Sequence, residues 1–140
     1  MTALRPFHLA IPVRNLDDAR AFYGTLLGCD EGRTSSEWVD FNFFGHQIVA
    51  HLSPNEPEHK AHNFVDGDAV PVRHFGVILT MSAWRTLAER LKKANVAFLI
   101  EPEIRFRGLP GEQATFFIFD PSGNALEFKA FDDDTRIFAR

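Results

Sequence analysis

The sequence has a single cysteine, Cys29, which excludes an intrachain disulfide. It has no run of about 20 apolar residues, the length that a membrane-spanning helix needs, and its first residues lack the apolar core of a secretory signal. Lysine and arginine are not clustered and the net charge is -4, so the basic surface that binds nucleic acid is missing. We therefore expect a cytoplasmic protein that has neither a membrane nor a nucleic acid as its partner.

Phenylalanine, in contrast, is abundant, with 15 residues in a chain of 140. Hydrophobic residues make up 45% and charged residues 24%, which are ordinary values for a globular protein. A chain of this length buries roughly two-thirds of its surface as one domain, so folding does not require a metal. We expect a single domain with a large aromatic core or an aromatic-lined cavity.

Two similar patterns begin about half a chain apart, at Phe7-His8-Leu9 and at Arg73-His74-Phe75. Each is followed by apolar residues at helical spacing, with Asn15 and Ser82 as the predicted N-caps, and then by three β-like runs. This order predicts an α+β fold of two βαβββ modules. We expect module one over about residues 5–53, a polar crossover over 54–72, module two over about 73–131 and a tail over 132–140.

Alternation along the predicted strands places His8, His74 and Glu127 on faces that have space around them. Each has a small residue as a neighbour on its face, namely Ala10, Gly76 and Ala125. Taken singly, each is more typical of an ordinary hydrogen-bonded or solvated residue. Two histidines at equivalent places of a repeat, with one carboxylate, instead favour one divalent metal ion. This is the ligand set of non-haem Fe(II) enzymes, and it also suits Zn, Mn, Ni or Co.

Three motifs carry a family resemblance. They are Phe7-His8-Leu9-Ala10-Ile11-Pro12-Val13, the segment Asp18-Ala19-Arg20-Ala21-Phe22-Tyr23, and the turn Asp120-Pro121-Ser122-Gly123-Asn124-Ala125-Leu126-Glu127. Together they resemble the vicinal oxygen chelate superfamily, which includes glyoxalase I, fosfomycin and bleomycin resistance proteins, and extradiol ring-cleaving dioxygenases. The resemblance implies that His8, His74 and Glu127 are the metal ligands.

Within that superfamily, residues 28–33, 38–47 and 49–52 are most similar to small bacterial proteins described as predicted extradiol-type dioxygenases. This implies a non-haem enzyme with one divalent metal ion, Fe(II) favoured and Zn, Ni or Mn possible, acting on a small aromatic or vicinal-oxygen substrate. By analogy with single-domain relatives we expect a homodimer, with the site either within one chain or shared between two.

Three places in the sequence depart from patterns of this superfamily. Phe117 stands where ring-cleaving enzymes have a substrate-binding tyrosine, and residues 108–110 lack their nearby histidine. His51 stands where glyoxalase I usually has a Glu or Gln ligand. The alternatives are therefore a glyoxalase-like lyase or isomerase, a thiol transferase using Zn, Ni or Mn, a drug-binding resistance protein without chemistry, and a structural domain with a decayed site.

Further candidate residues surround the predicted metal. His51 is a candidate fourth ligand or acid/base group, and His46 is a candidate catalytic histidine from a hairpin; a strand-end position and an exposed turn are the respective alternatives. Arg105 and Arg107 share a predicted strand face before a glycine-rich loop and are candidates to bind an anionic substrate, or else exposed residues of an edge strand. Phe117 is the candidate substrate-contacting ring.

Overall fold

The computed structural model describes residues 3–140. Backbone contacts divide the chain into two compact units, the first reaching to Glu58 together with Asp120–Asn124, and the second comprising His59–Phe119 and Ala125–Arg140. Two four-stranded sheets, each accompanied by one main helical segment, confirm the predicted α+β class with two βαβββ modules.

The first module contains β1 (His8–Val13), α1 (Leu16–Ala19), a π-helical segment (Arg20–Leu26), β2 (Glu31–Thr34), β3 (Trp38–Phe43) and β4 (His46–Leu52). Its sheet has the strand order β1-β4-β3-β2. Strand β1 runs parallel to β4, and the other neighbouring strands are antiparallel. The β1-β4 register places His8 beside Gln47 and Pro12 beside His51.

The second module contains β7 (Phe75–Leu79), α2 (Met81–Lys93), β8 (Phe98–Arg105), β9 (Gln113–Phe119) and β10 (Ala125–Ala130), followed by a short 3-10 turn (Asp134–Arg136). Its sheet has the order β7-β10-β9-β8, the same topology as the first sheet. Strand β10 pairs in parallel with β7 and in antiparallel with β9. Glu127 therefore lies between Gly76 on one side and Phe117 on the other.

The helix of the first module begins as predicted at Asn15, whose side chain accepts a hydrogen bond from the Asp18 N–H at 2.9 Å. After Ala19 the backbone becomes π-helical, and the segment ends before Gly28, which has a φ of 78°. That left-handed conformation suits glycine, which has no Cβ atom to clash.

Helix α2 is capped by Thr80, and the prediction of Ser82 as its N-cap was wrong. Thr80 has the extended backbone that an N-cap needs, and its hydroxyl accepts a hydrogen bond from the Ala83 N–H at 3.3 Å. Ser82 lies inside the first turn. On the buried face of the helix, the Trp84 indole donates a hydrogen bond to the Phe128 carbonyl at 2.9 Å, so α2 packs on β10. No helix within residues 3–140 is long and apolar enough to cross a membrane.

The crossover at 54–72, expected to be a polar connection, contains a β-hairpin of β5 (His62–Val65) and β6 (Asp68–Pro71). Its two-residue turn, Asp66-Gly67, has positive φ angles of 48° and 87°, which match the twist of a two-stranded ribbon. The hairpin contributes Val70 to a buried cluster with Ile100 and Phe117, and Val65 of the hairpin packs against this cluster. The segment is thus an ordered flap on the second sheet.

The strand faces follow the predicted alternation with two exceptions. One is the start of β1, and the other is β10, where Ala125 and Glu127 are buried although they lie opposite the predicted packed face. Buried side chains include Ile11 and Val13 in the first module and Leu126, Phe128 and Ala130 in the second. Phe7 was expected on the packed face but is 63% exposed, because it precedes the first residue of β1. The face of His8 stays outside the core, as expected.

Tyr23 and Asp120 form a buried polar pair in the aromatic core of the first unit. The Tyr23 hydroxyl donates to Asp120 Oδ2 at 2.7 Å, while Asp120 Oδ1 accepts from the backbone N–H groups of Ser122 and Asn124 at 2.8 and 2.9 Å. Burial, and then the Asp120 charge, raise the pKa of Tyr23 well above its ordinary value. The rings around Tyr23 are those of Phe22, Phe41 and Phe43. These phenylalanines therefore serve as core.

Candidate metal centre

His74 and Glu127 lie side by side in the second unit. His74 immediately precedes β7, and Glu127 occupies the middle of β10 in register with Gly76. A Cβ atom at Gly76 would overlap the carbonyl oxygen of Glu127, so only glycine permits this approach of the two strands. The approach places His74 Nε2 at 3.2 Å from Glu127 Oε1.

Both side chains are fixed by contacts behind the pair. His74 Nδ1 lies 2.7 Å from the Pro71 carbonyl oxygen, at the end of the β5-β6 hairpin. Since that oxygen only accepts, Nδ1 carries a proton and Nε2 is the atom that faces Glu127. The buried Thr115 hydroxyl donates to Glu127 Oε2 at 2.5 Å, which leaves Oε1 as the oxygen next to His74. One nitrogen and one oxygen are thus presented together.

The pKa shifts of His74 and Glu127 both favour the charged form of the side chain. The hydrogen bond with Glu127 raises the pKa of His74, although burial opposes the rise. Burial acts to raise the pKa of Glu127, but hydrogen bonds from His74 and Thr115 outweigh it and the net pKa is lowered. Glu127 is 8% exposed and is held as a carboxylate by these partners.

The separation of 3.2 Å between His74 Nε2 and Glu127 Oε1 fits two ligands of one metal ion. With bonds of about 2.1 Å, neighbouring ligand atoms lie about 3.0 Å apart at a right angle and about 3.4 Å apart at the tetrahedral angle. A metal ion in place of the proton between these two atoms would therefore need little movement of either side chain. The donor types and their spacing both fit a divalent cation.

His8 belongs to the first unit, where it is held in a similar way. Its Nδ1 atom lies 2.7 Å from Gln47 Oε1 on the neighbouring strand, and Gln47 Nε2 donates to Asp40 Oδ2 at 3.4 Å. With the Gln47 oxygen as acceptor, Nδ1 carries the proton and Nε2 keeps its lone pair. His8 is exposed, so this lone pair is accessible to an external ligand.

His46 and His51 are on the same strand, β4, but have different surroundings. His46 Nδ1 accepts a hydrogen bond from the backbone N–H of Phe7 at 2.8 Å. This bond fixes the residue before His8 and occupies one of the two nitrogens of His46. His51 is exposed beside Pro12 and lies four residues after Gln47, the partner of His8. Strand alternation therefore places His51 on the face that carries His8.

Arg105 does not have the exposure that an external substrate requires. Its side chain is 3% exposed, and its guanidinium donates to the Val65 carbonyl at 2.6 Å and to Asp68 and Glu103 at 3.1 and 3.2 Å. These bonds tie the β5-β6 hairpin to β8, which favours an anchoring role. The expectation that Arg105 and Arg107 share a strand face was wrong, because β8 ends at Arg105 and Phe106 follows with a φ of 57°.

Phe117 and Thr115 complete the surroundings of Glu127 from β9. The Phe117 ring is buried, and its centroid lies 5.0 Å from that of His74. Thr115 was not predicted, although the short turn between β9 and β10 fixes a register in which it pairs with Lys129 and lies two residues from Phe117. That register, combined with alternation, is the sequence signal that identifies it.

A cavity of about 250 Å³ opens beside the pair of His74 and Glu127. Its lining consists of His74, Phe75, Gly76, Val77, Ile78, Glu127 and Lys129. Within residues 3–140, no three His, Cys, Asp or Glu side chains are grouped as a metal site. The second unit by itself therefore presents two candidate ligands, and His8 is presented by the first unit.

Comparison with known proteins gives the family. The sequence matches the Glyoxalase/Bleomycin resistance protein/Dioxygenase superfamily over residues 5–128. The crystal structure of a glyoxalase/bleomycin resistance protein/dioxygenase from Alicyclobacillus acidocaldarius is 37% identical, with a TM-score of 0.82 over 95% of this chain and 96% of that one. No curated protein matches the sequence.

Two more distant structures share the fold alone. The fosfomycin resistance protein FosX from Listeria monocytogenes is 18% identical, with a TM-score of 0.67 over 97% of this chain and 98% of that chain. A glyoxalase/dioxygenase from Nostoc punctiforme is 17% identical, with a TM-score of 0.67 over 95% and 99%. The match over residues 5–128 and the 37% identity over nearly all of both chains show that the chain belongs to the glyoxalase/bleomycin resistance protein/dioxygenase superfamily.

Proposed function

We propose that this protein is a metal-dependent enzyme in which His8, His74 and Glu127 hold one divalent metal ion. Fe(II) is the favoured ion because two imidazoles and one carboxylate are the facial ligand set of non-haem Fe(II) enzymes. The proposed reaction is an extradiol-type oxidative cleavage of a small aromatic substrate that offers two neighbouring oxygens. The family includes dioxygenases, which supports this choice.

The observation that carries the proposal is the spacing of His74 and Glu127. Their facing atoms are 3.2 Å apart, and each side chain has its other polar atom engaged, His74 by the Pro71 carbonyl and Glu127 by Thr115. Metal-binding histidines usually donate their second N–H to a carbonyl or carboxylate in this way. His8 has the corresponding arrangement, with Gln47 as the acceptor.

When bound, the ion supplies Lewis acidity to two adjacent substrate oxygens and, if it is Fe(II), a coordination position for dioxygen. The protein's own groups orient the reactants. Glu127 keeps its negative charge near neutral pH, because hydrogen bonds lower its pKa. Phe117 gives the site a water-excluding wall next to His74. His51, on the strand face of His8, is the proposed proton acceptor or donor.

Phe117 also favours a second candidate, a glyoxalase-like lyase or thiol transferase that uses Zn, Ni or Mn. A phenyl ring has no donor for a substrate oxygen, and ring-cleaving relatives have a tyrosine at this position. The same chelation of two oxygens would then stabilise the negative charge that develops on an enolate or alkoxide oxygen. Metal identity separates this candidate from the dioxygenase.

The test is anaerobic loading with Fe(II), followed by oxygen consumption with a series of catechols. Zn- and Ni-loaded samples are assayed in parallel for thiol addition to electrophiles. Oxygen uptake that is lost in His8→Ala, His74→Ala and Glu127→Ala, but kept in the exposed hairpin control His62→Ala, supports the dioxygenase. Thiol addition without oxygen uptake supports the second candidate. A metal-free protein that binds bleomycin-type or aromatic drugs tightly would contradict both.

We propose a homodimer, and the source of His8 can be tested with mixed variants. His8→Ala and Glu127→Ala proteins are each unable to complete the ligand set. If the site is shared between two copies, mixing them restores up to about one complete site in each mixed dimer. If the ligands come from one chain, each variant lacks a ligand in its own site and mixing restores nothing. Metal content after mixing distinguishes the two arrangements.

A further inference from the structure

Within residues 3–140, Lys129 is the one lysine or arginine side chain that lines the cavity next to His74 and Glu127. It lies on β10 two residues after Glu127, and strand alternation therefore turns both side chains to the same face. Its side chain is 35% exposed, in contrast to 9% for Glu127. Lys129 is thus at the mouth of the cavity, whereas Glu127 is at its base.

The ammonium group of Lys129 is close to Glu127 without forming a hydrogen bond with it. The distance from Nζ to Glu127 Oε1 is 4.0 Å, which exceeds hydrogen-bond length. Its three N–H donors are therefore not consumed by that carboxylate. Oε2 of Glu127 is occupied by Thr115 and Oε1 by His74, so the carboxylate is satisfied without the lysine.

The charges around the cavity set the charge of its occupant. A bound divalent cation and the Lys129 ammonium outweigh the single Glu127 carboxylate by two positive charges. Ile78, which pairs with Lys129 across the strands, adds an apolar wall that cannot compensate this charge. A neutral ligand would leave the excess unpaired in a partly desolvated site, and an anionic ligand would neutralise it.

We propose that Lys129 is a substrate-binding residue and that the substrate is a small chelating anion, one carboxylate-like oxygen of which accepts a hydrogen bond from the Lys129 ammonium group. This inference rests on the proposed metal site and adds the charge class of the substrate. Lys129 then contributes a charge-assisted hydrogen bond that is made only with an anionic oxygen.

The experiment uses oxalate as the probe, because it chelates through two adjacent oxygens and carries two negative charges. Metal binding is measured first, by calorimetric titration of Co(II) into wild type, Lys129→Met and Lys129→Arg. Oxalate is then titrated into each metal-loaded protein. Lys92→Met is the matched control, since Lys92 is an exposed lysine on α2 and does not line the cavity.

We expect Lys129→Met to bind oxalate about tenfold or more weakly than wild type, while Lys129→Arg and Lys92→Met stay within about threefold. Co(II) affinity of Lys129→Met is expected to be unchanged or higher, since a positive charge near the cation has been removed. Metal binding with unchanged oxalate affinity in Lys129→Met overturns this inference alone. Weaker Co(II) binding in that variant also overturns it, because the lysine would then act by positioning Glu127. Absence of metal binding in wild type overturns the proposed function, and this inference with it.

Discussion

Replacing Gln47 by leucine tests how the structure prepares His8 for a metal. The substitution removes the oxygen that lies 2.7 Å from His8 Nδ1 and keeps a side chain of similar length. Without an acceptor, the Nδ1 proton is no longer fixed, so the ring can rotate and can also place its proton on Nε2. Both changes reduce the fraction of protein in which Nε2 presents a lone pair.

The expected loss of metal affinity in Gln47→Leu follows from the contacts of Gln47. Loss of such a supporting hydrogen bond typically weakens metal binding by about 10- to 100-fold, equivalent to about 1.4 to 2.8 kcal/mol. The hydrogen bond from Gln47 to Asp40 is long, at 3.4 Å, so Asp40→Asn should have a much smaller effect. Gln47 is exposed, and its replacement should change the free energy of unfolding by less than about 0.5 kcal/mol.

The assay is a competition titration of Zn(II) or Co(II) against a chelating dye, with the melting temperature of the metal-free protein as a check on folding. Gln47→Glu is the matched variant, because it keeps an acceptor oxygen at the same place and should bind metal at least as tightly as wild type. Wild-type affinity in a well-folded Gln47→Leu protein would refute the argument that Gln47 prepares His8.

Three further predictions concern the framework around the site. Tyr23→Phe removes a buried donor from Asp120 and should lower the free energy of unfolding by about 1–3 kcal/mol in urea denaturation; an unchanged value would contradict the importance of this bond. Gly76→Ala should lower the free energy of unfolding by more than about 3 kcal/mol or prevent folding, because its Cβ would overlap Glu127. Gly24→Ala is the control and should be tolerated, since the nearest atom to its Cβ would be 3.8 Å away. Equal stabilities of the two variants would refute the close approach of the strands at Gly76. In the metal-free protein, the raised pKa of His74 contributes to the stability of the fold fully below about pH 6.5, and this contribution is lost as the pH rises through the pKa of folded His74. The lowered pKa of Glu127 contributes fully above about pH 4.5, and this contribution is lost as the pH falls through the pKa of folded Glu127. The melting temperature of wild type should therefore exceed that of His74→Gln most between about pH 4.5 and 6.5, and a difference that grows above pH 8 would contradict the pairing.

Local signals in the sequence were sufficient for most of the fold. Asn15 has the short polar side chain that caps a helix, and alternation along β10 correctly placed Leu126 and Phe128 in the core, although Glu127 on the opposite face is also buried. At the start of α2, two hydroxyl residues compete for the cap. Thr80 and Ser82 have similar capping ability, and the choice depends on where β7 ends, which is set by its pairing with β10.

The surroundings of the site depend on contacts between segments that are distant in the sequence. The Asp66-Gly67 turn signal was present in the crossover, yet its strands are only four residues long, and the hairpin is held largely by Arg105 and by packing on Phe117. Arginine is usually a surface residue. Arg105 can be buried because the hairpin supplies the Val65 carbonyl and the Asp68 carboxylate as acceptors. Likewise, Gln47 and the Pro71 carbonyl become recognisable as supports for the two histidines only when strand register is known.

The central claim is that two imidazoles and one carboxylate hold a single metal ion. Anomalous diffraction from crystals grown anaerobically with Fe(II) tests it most directly. We predict one anomalous peak for each complete site, about 2.1 Å from Nε2 of His8, Nε2 of His74 and a carboxylate oxygen of Glu127, with further coordination positions left for other ligands. A metal bound through Nδ1 of either histidine, a metal bound at other residues, or the lack of any peak at saturating Fe(II) would contradict the account.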